Sequence, residues 1–400
     1  MRIFPFYFLL TTFYLLLNMF LTALTFFLIL SILVFVHELG HFLVARFVGV
    51  GVEEFGFGLP PRIWGKKMKG TIYSINWLPI GGFVKLAGED EGGPSAISPP
   101  AGEAGHQPSA KSRLKADSRK LNAFFWARNK KERTAILVAG VVMNFFLAVG
   151  ITTYLLADGV MEESGRVHVE KVQPGTPAEA AGLMPNDIIT SIQFVQFDQL
   201  AKKKLSTTKD LIETTKTYAG KEVALTVLRG GKQLTVKLTP RKDPPSGQGS
   251  MGVVISDLET KKYPLSIAPV KALEINLMRA REMLVSLGTT VWRLVTLQPL
   301  QADVAGPIGI AQVTGQAVKF GFRAVLEFMS ILSLNLAVLN ILPVPALDGG
   351  RLAFVFLEKV FGRRIKPAFE RNAHQIGMII LFILILLVSI NDIMRLGRRG

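Results

Sequence analysis

The chain has 400 residues, no cysteine, five histidines and a formal net charge of +16. Without cysteine there are no disulfides and no thiolate-held metals, so any metal must be bound by His, Asp or Glu. Because 49% of the residues are apolar and gathered into runs long enough to cross a bilayer, the basic excess is that of cytoplasmic loops on a membrane protein. No nucleic-acid module is recognisable, so no nucleic-acid partner is expected.

The first apolar tract fills residues 1–48 and exceeds the ~20 residues that a spanning helix needs. The span proper starts near Met19, and the extra residues read as an upstream translation start, a cleaved signal or an interfacial segment, the first being favoured. Within this run stands His37-Glu38-Leu39-Gly40-His41, an H-E-x-x-H motif. Positions four apart share a helix face about 6 Å of rise from each other, so both histidines can offer a ring nitrogen to one zinc ion. Glu38 is then placed as general base for a water whose pKa the metal lowers. Ionisable groups at membrane depth are costly, which favours this reading over a pair of interfacial histidines beside a salt-bridged glutamate. Arg46, Arg62, Lys66, Lys67 and Lys69 follow, so the positive-inside rule sets the N-terminus outside and the motif toward the cytoplasm.

Residues 49–88 contain Phe55-Gly56-Phe57-Gly58, Thr71 to Trp77 and Pro79-Ile80-Gly81-Gly82. Their alternation and Gly/Pro breaks predict short strands and turns, either dipping into the membrane or forming a small cytoplasmic hairpin. Residues 89–133 read as a cytoplasmic segment: a Gly/Pro/Ala/Ser-rich linker carrying His106, then a basic amphipathic patch with Lys120, Phe124, Phe125, Trp126, Arg128, Lys130, Lys131 and Arg133. The second span is predicted over 134–157, with Asn144 facing the bundle interior or hydrogen-bonding between helices.

From 160 to 245 the pattern becomes that of a soluble α+β domain, with short strand-like runs and a helical piece near Lys209 to Tyr218. Pro174-Gly175-Thr176-Pro177-Ala178-Glu179-Ala180-Ala181-Gly182-Leu183, followed by Asn186-Asp187-Ile188-Ile189, resembles the PDZ domains of bacterial proteases. That resemblance implies binding of peptide termini by strand addition, or a steric plug. His168 reads as a structural strand histidine. Residues 246–320 are expected to form an amphipathic membrane-surface region, broken at Gly306-Pro307-Ile308-Gly309.

The third span and its motif occupy 322–350 and end in Asn340-Ile341-Leu342-Pro343-Val344-Pro345-Ala346-Leu347-Asp348-Gly349-Gly350. Prolines and glycines present Asp348 on irregular backbone, and the topology returns it to the level of His37 and His41 as a third ligand. A basic cytoplasmic loop, 351–375, precedes a fourth span, 376–394, with His374 as an interfacial residue at its edge.

Together, His37 to His41 and Asn340 to Gly350 resemble the site-2 proteases, and Gly56-Phe57-Gly58, Gly81-Gly82, the single PDZ-like region and Gly306 to Gly309 resemble their bacterial branch. The fold implied is a polytopic α-helical membrane protein of about four transmembrane helices, with a membrane-associated β-hairpin-like segment and an extracytoplasmic PDZ-like α+β domain. The resemblance implies Zn2+ bound by His37, His41 and Asp348, Glu38 as base, and Asn340, Pro343, Pro345, Gly56 and Gly58 facing substrate. It further implies cleavage inside the membrane segment of single-span proteins, such as trimmed anti-sigma factors, after a first cut, at the bacterial inner membrane. Two alternatives stand beside this reading: a catalytically idle PDZ scaffold, and a metal or ion transporter.

Overall fold

The computed structural model describes residues 4–88, 124–196, 199–296, 298, 306–363, 365 and 367–399. Residues 89–123, which take in the expected linker with His106 and Lys120 of the basic patch, lie outside the described residues. The chain begins with α1 (Phe4–Val48), β1 (Val52–Met68), β2 (Thr71–Leu86) and α2 (Lys130–Asp158). It continues through β3 (Val160–Val172), α3 (Pro177–Ala180), β4 (Ile188–Gln196), β5 (Gln199–Lys204), α4 (Thr208–Thr217), β6 (Val223–Arg229), β7 (Lys232–Leu238) and β8 (Val253–Lys261). Five helices close it: α5 (Ala268–Val295), α6 (Pro307–Phe320), α7 (Phe322–Asn340), α8 (Asp348–Phe361) and α9 (Pro367–Arg399). They form two compact units, one of residues 1–155 with 265–400 and one of residues 156–264.

In the larger unit, four helices among the described residues are long and apolar enough to cross a membrane: Thr12–Val48 of α1, α2, α7 and Ala368–Met394 of α9. Along α1 the residues Ile29, Leu33, His37, His41 and Ala45 are buried, each four after the last. Steps of four on a 3.6-residue turn make a stripe that winds slowly round the helix, so both motif histidines stand on its inward face. Small residues let α1 and α2 cross closely, since a Cβ on Gly40 would lie 2.5 Å from the Ala139 carbonyl oxygen.

Strands β1 and β2 pair as an antiparallel hairpin whose turn is Lys69-Gly70, both at positive φ (48° and 87°), as a tight two-residue turn requires. The hairpin is fixed to α1 by aromatic contacts: the Phe55 ring lies 5.5 Å from Phe35 and 4.8 Å from Phe42. A buried hydroxyl and amide network joins three helices. Asn276 of α5 donates to Thr152 of α2 (3.0 Å), whose hydroxyl lies 3.0 Å from that of Ser330 in α7. At the other end of α2, Arg133 forms a buried ion pair with Glu358 of α8 (2.8 Å).

Two segments depart from expectation. Residues 351–375, expected to be a basic loop, begin with helix α8, because Phe354, Val355 and Glu358 share a buried face. Residues 246–320, expected as one amphipathic region, divide into three. Their first part is β8, which pairs with β3; then comes α5, whose Asn276 is fully buried; last comes α6, whose Thr314 and Ala317 are buried and whose Gly315 faces Thr22 of α1.

The smaller unit is a sheet of order β7-β6-β4-β3-β8, with β5 paired to β4. Its core gathers Val167, Ile189, Ile192, Leu211, Leu225 and Val227. The unit therefore runs to residue 264 rather than 245, because β8 is paired along β3. Thr176 caps α3 by accepting from the Glu179 N–H, while Glu179 accepts from the Gly175 N–H. Burial works to raise the Asp187 carboxyl, but the Arg229 guanidinium, with two contacts of 2.7 Å, and the Met184 N–H outweigh it and hold the group below the usual carboxylate range. A depressed folded-state value means that this stabilisation is complete above the unfolded value of about 3.9 and lost as pH falls through the folded one. Asp187→Asn is therefore expected to destabilise this unit at pH 7 by about 2 kcal/mol. Melting of the full-length protein, followed by proteolysis within 156–264, checks this; the gap to the unsubstituted protein should begin to narrow below about pH 4 and close only as pH falls through the lower folded-state value.

Candidate metal centre

The third motif residue reaches the two histidines through the break after α7. Ala346 takes positive φ (84°), and α8 starts at Asp348 itself. The turn is so close that a Cβ on Gly349 would lie 2.0 Å from the Leu342 carbonyl oxygen, and one on Gly350 2.4 Å from that of Val344. No other residue type fits at either position.

Asp348 Oδ2 then lies 2.8 Å from His37 Nε2 and 3.2 Å from His41 Nε2, and the two Nε2 atoms are 3.2 Å apart. His41 Nδ1 lies 2.7 Å from the carbonyl oxygen of Ile136, which can only accept, so the ring proton is on Nδ1 and Nε2 presents a lone pair. Two imidazole lone pairs and a carboxylate oxygen converging this closely make a donor set for a cation. Ligands at zinc distances of ~2.0–2.1 Å in a tetrahedron stand about 3.3 Å apart, close to the observed triangle. Among the described residues this is the one His/Asp/Glu group that could hold a metal ion.

The surroundings suit that reading. Asn144 of α2 sits 3.4 Å from His37 Nδ1, and its side-chain oxygen is buried without a hydrogen-bond partner. The two ends of an amide are equivalent in shape; with the oxygen turned to the ring, it accepts the Nδ1 proton and leaves His37 Nε2 to the metal. Gly140, one turn earlier on α2, backs both rings: a Cβ there would lie 2.4 Å from His41 Nε2 and 2.7 Å from His37 Nε2. Glu38 faces the hairpin, where its Oε2 accepts from the Val84 N–H at 3.0 Å, beside Gly82.

The remaining expected site residues are spread more widely. Asn340 approaches His37 Nε2 at 3.4 Å. Pro343 is exposed, whereas Pro345 lies against α9 at Gly377. Gly56 and Gly58 are buried in the hairpin against β2, Gly56 close to Gly82 and therefore near Glu38. Gly140 was missed because a glycine in an apolar helix carries no periodic signal. His374, read as interfacial, instead accepts from the Ala346 N–H at 2.7 Å.

A family model described as peptidase family M50 matches residues 25–384. Over 94% of its length the chain is 30% identical to the regulator of sigma-W protease RasP of Bacillus subtilis, of which it covers 99%. It is likewise 30% identical to the zinc metalloprotease RasP of Shouchella clausii, again over 94% of this chain and 99% of that one. Among solved structures, the PDZ domain of the SdrC-like protein from Listeria innocua is similar over 22% of this chain and 92% of that one, at 21% identity and a TM-score of 0.18.

Proposed function

Since the chain belongs to peptidase family M50 and is a site-2-type metalloendopeptidase, we propose that it hydrolyses a peptide bond inside the transmembrane segment of single-span membrane proteins, with Zn2+ held by His37, His41 and Asp348 and Glu38 as general base. The observation that carries this reading is the convergence of His37 and His41, on the buried face of the long apolar helix α1, with Asp348 at the start of α8, and with Glu38 turned to the hairpin beside them. Zinc in that site supplies Lewis-acid chemistry, lowering the pKa of a water toward neutrality and polarising a carbonyl.

The chain's own residues do the rest. Asn144 and the Ile136 carbonyl set the two ring orientations, so both Nε2 atoms face the carboxylate of Asp348. Glu38 takes the proton of the attacking water and returns it to the departing amine, with its Oε2 steadied by Val84. A transmembrane helix hides its carbonyls in its own hydrogen bonds, so the substrate must be unwound before attack. In this reading the β1–β2 hairpin receives that extended segment along β2 beside Glu38, with Gly56 and Gly58 in the strand behind it and Asn340, Pro343 and Pro345 as further substrate-facing residues.

The unit 156–264 acts, in this reading, as an extracytoplasmic PDZ-like filter. Among the described residues β8 pairs only with β3, and α4 packs beside it, leaving a strand edge to which a peptide terminus can add. The substrates are single-span proteins of the anti-sigma-factor type, already trimmed outside by a first protease, at a bacterial inner membrane with the metal site on the cytoplasmic side. Purified protein is to be incubated with one such substrate in trimmed and untrimmed forms. Mass spectrometry should find a cut within the apolar segment of the trimmed form, lost with chelator and restored by zinc. Cutting confined to extramembrane residues, or metal-independent cutting, would sink the proposal.

A further inference from the structure

We propose that His374, with Gly377, makes one face of α9 a positioning clamp for the loop that delivers Asp348 and the proline wall. His374 and Gly377 are three residues apart and so share a helix face. Both meet the same stretch of chain. Gly377 lies under Pro345, where a Cβ would come within 2.5 Å of the proline ring carbon and 2.6 Å of its carbonyl. His374 Nδ1 accepts from the Ala346 N–H at 2.7 Å, and its Nε2 lies 2.9 Å from Arg351 Nε on the first turn of α8.

These contacts sit at the one non-proline N–H of the break that bonds to a side chain: Ile341, Leu342, Val344 and Leu347 donate to backbone carbonyls, Ala346 to His374. Residues 341–347 separate α7 from α8, two prolines remove N–H donors, and Ala346 stands at a φ of 84°, which an alanine rarely adopts. Asp348 follows two residues later, so a shift of the Ala346 peptide carries directly into the carboxylate that faces His37 and His41. The imidazole reaches one residue on each side of Asp348: Ala346 before it and Arg351 after it. A neutral ring has one bare nitrogen, so it accepts from one of these two N–H groups at a time. The tight contact with the Ala346 N–H makes Nδ1 the acceptor. His374 touches neither metal nor substrate in this scheme; it acts through the loop.

The inference rests on the proposed metal site, and the test separates the two. Full-length protein in detergent is titrated with zinc against a competing chelator, for the unsubstituted chain and for His374→Phe, His374→Asn and Gly377→Ala. Cleavage kinetics and melting are followed alongside. Phe keeps the ring's bulk without an acceptor, whereas Asn places its Oδ1 where Nδ1 stood. Expected are a loss of zinc affinity of about 10–100-fold in His374→Phe, as for other groups that orient ligands, and substantial recovery in His374→Asn. Gly377→Ala, which drives a methyl onto the Pro345 backbone, should lose affinity at temperatures where its melting curve shows the variant still folded. Unchanged zinc affinity and kcat in His374→Phe, or equal losses in Phe and Asn, would overturn the clamp. If the unsubstituted chain itself bound no zinc, the metal-site reading would fall first.

Discussion

Glu38→Gln is expected to lower kcat for cleavage by about 10²–10⁴-fold, the usual worth of a positioned acid–base group. Glutamine has nearly the same shape and keeps a carbonyl oxygen for the Val84 N–H, so the contact at 3.0 Å that docks this side chain on β2 can persist. What the substitution removes is the ability to take a proton. Zinc content, melting temperature and KM should therefore stay near those of the unsubstituted protein while kcat collapses. The measurement is single-turnover cleavage with parallel metal analysis. A variant that lost its zinc together with its activity would show that Glu38 holds the site together instead of moving a proton.

Gly140→Ala should be almost as damaging, and for a reason that no motif describes. The added methyl would sit 2.4 Å from His41 Nε2 and 2.6 Å from His37 Cε1, well inside contact distance. Neither ring can step aside freely. His41 is tied at 2.7 Å to the Ile136 carbonyl, and His37 is flanked by Asn144 and Asp348. Moving the helices apart would break the close crossing at Gly40, whose own Cβ position lies against Ala139. The ligand triangle must therefore open, and zinc affinity is expected to fall by at least about 100-fold, at the upper end of what ligand-orienting groups contribute. Gly150→Ala, on the same helix with open space around it, is the control and should leave affinity unchanged. Equal zinc binding by both variants would refute the role assigned to Gly140.

The parts of this protein that were legible in the sequence are those whose information is local. A helix brings positions 37 and 41 to one face whatever surrounds it, so H-E-x-x-H in an apolar run already pointed to the histidine pair that the structure sets beside Asp348. Four long apolar helices were equally visible, because bilayer thickness sets their length. The hairpin at 49–88 could be read from alternation and turn residues, and the structure adds its register and its aromatic seat on α1.

What lay beyond the sequence depends on pairs of residues far apart in it. β8 joins the smaller unit because Val253 to Lys261 pair with a strand some ninety residues earlier, which no local period announces. The stretch after Asp348 carries enough Lys and Arg to read as a loop, yet one apolar face is sufficient to bury it as helix α8. The HExxH and LDGG motifs name Asp348 and the two histidines; only tertiary packing decides that Gly140 backs the rings, that Asn144 orients one of them and that His374 grips the Ala346 peptide. The physical reason is one of range. Ligand identity follows from side-chain chemistry at fixed helical spacing, whereas ligand geometry follows from how closely separate helices approach, and that distance is set by side chains that a single chain direction does not relate.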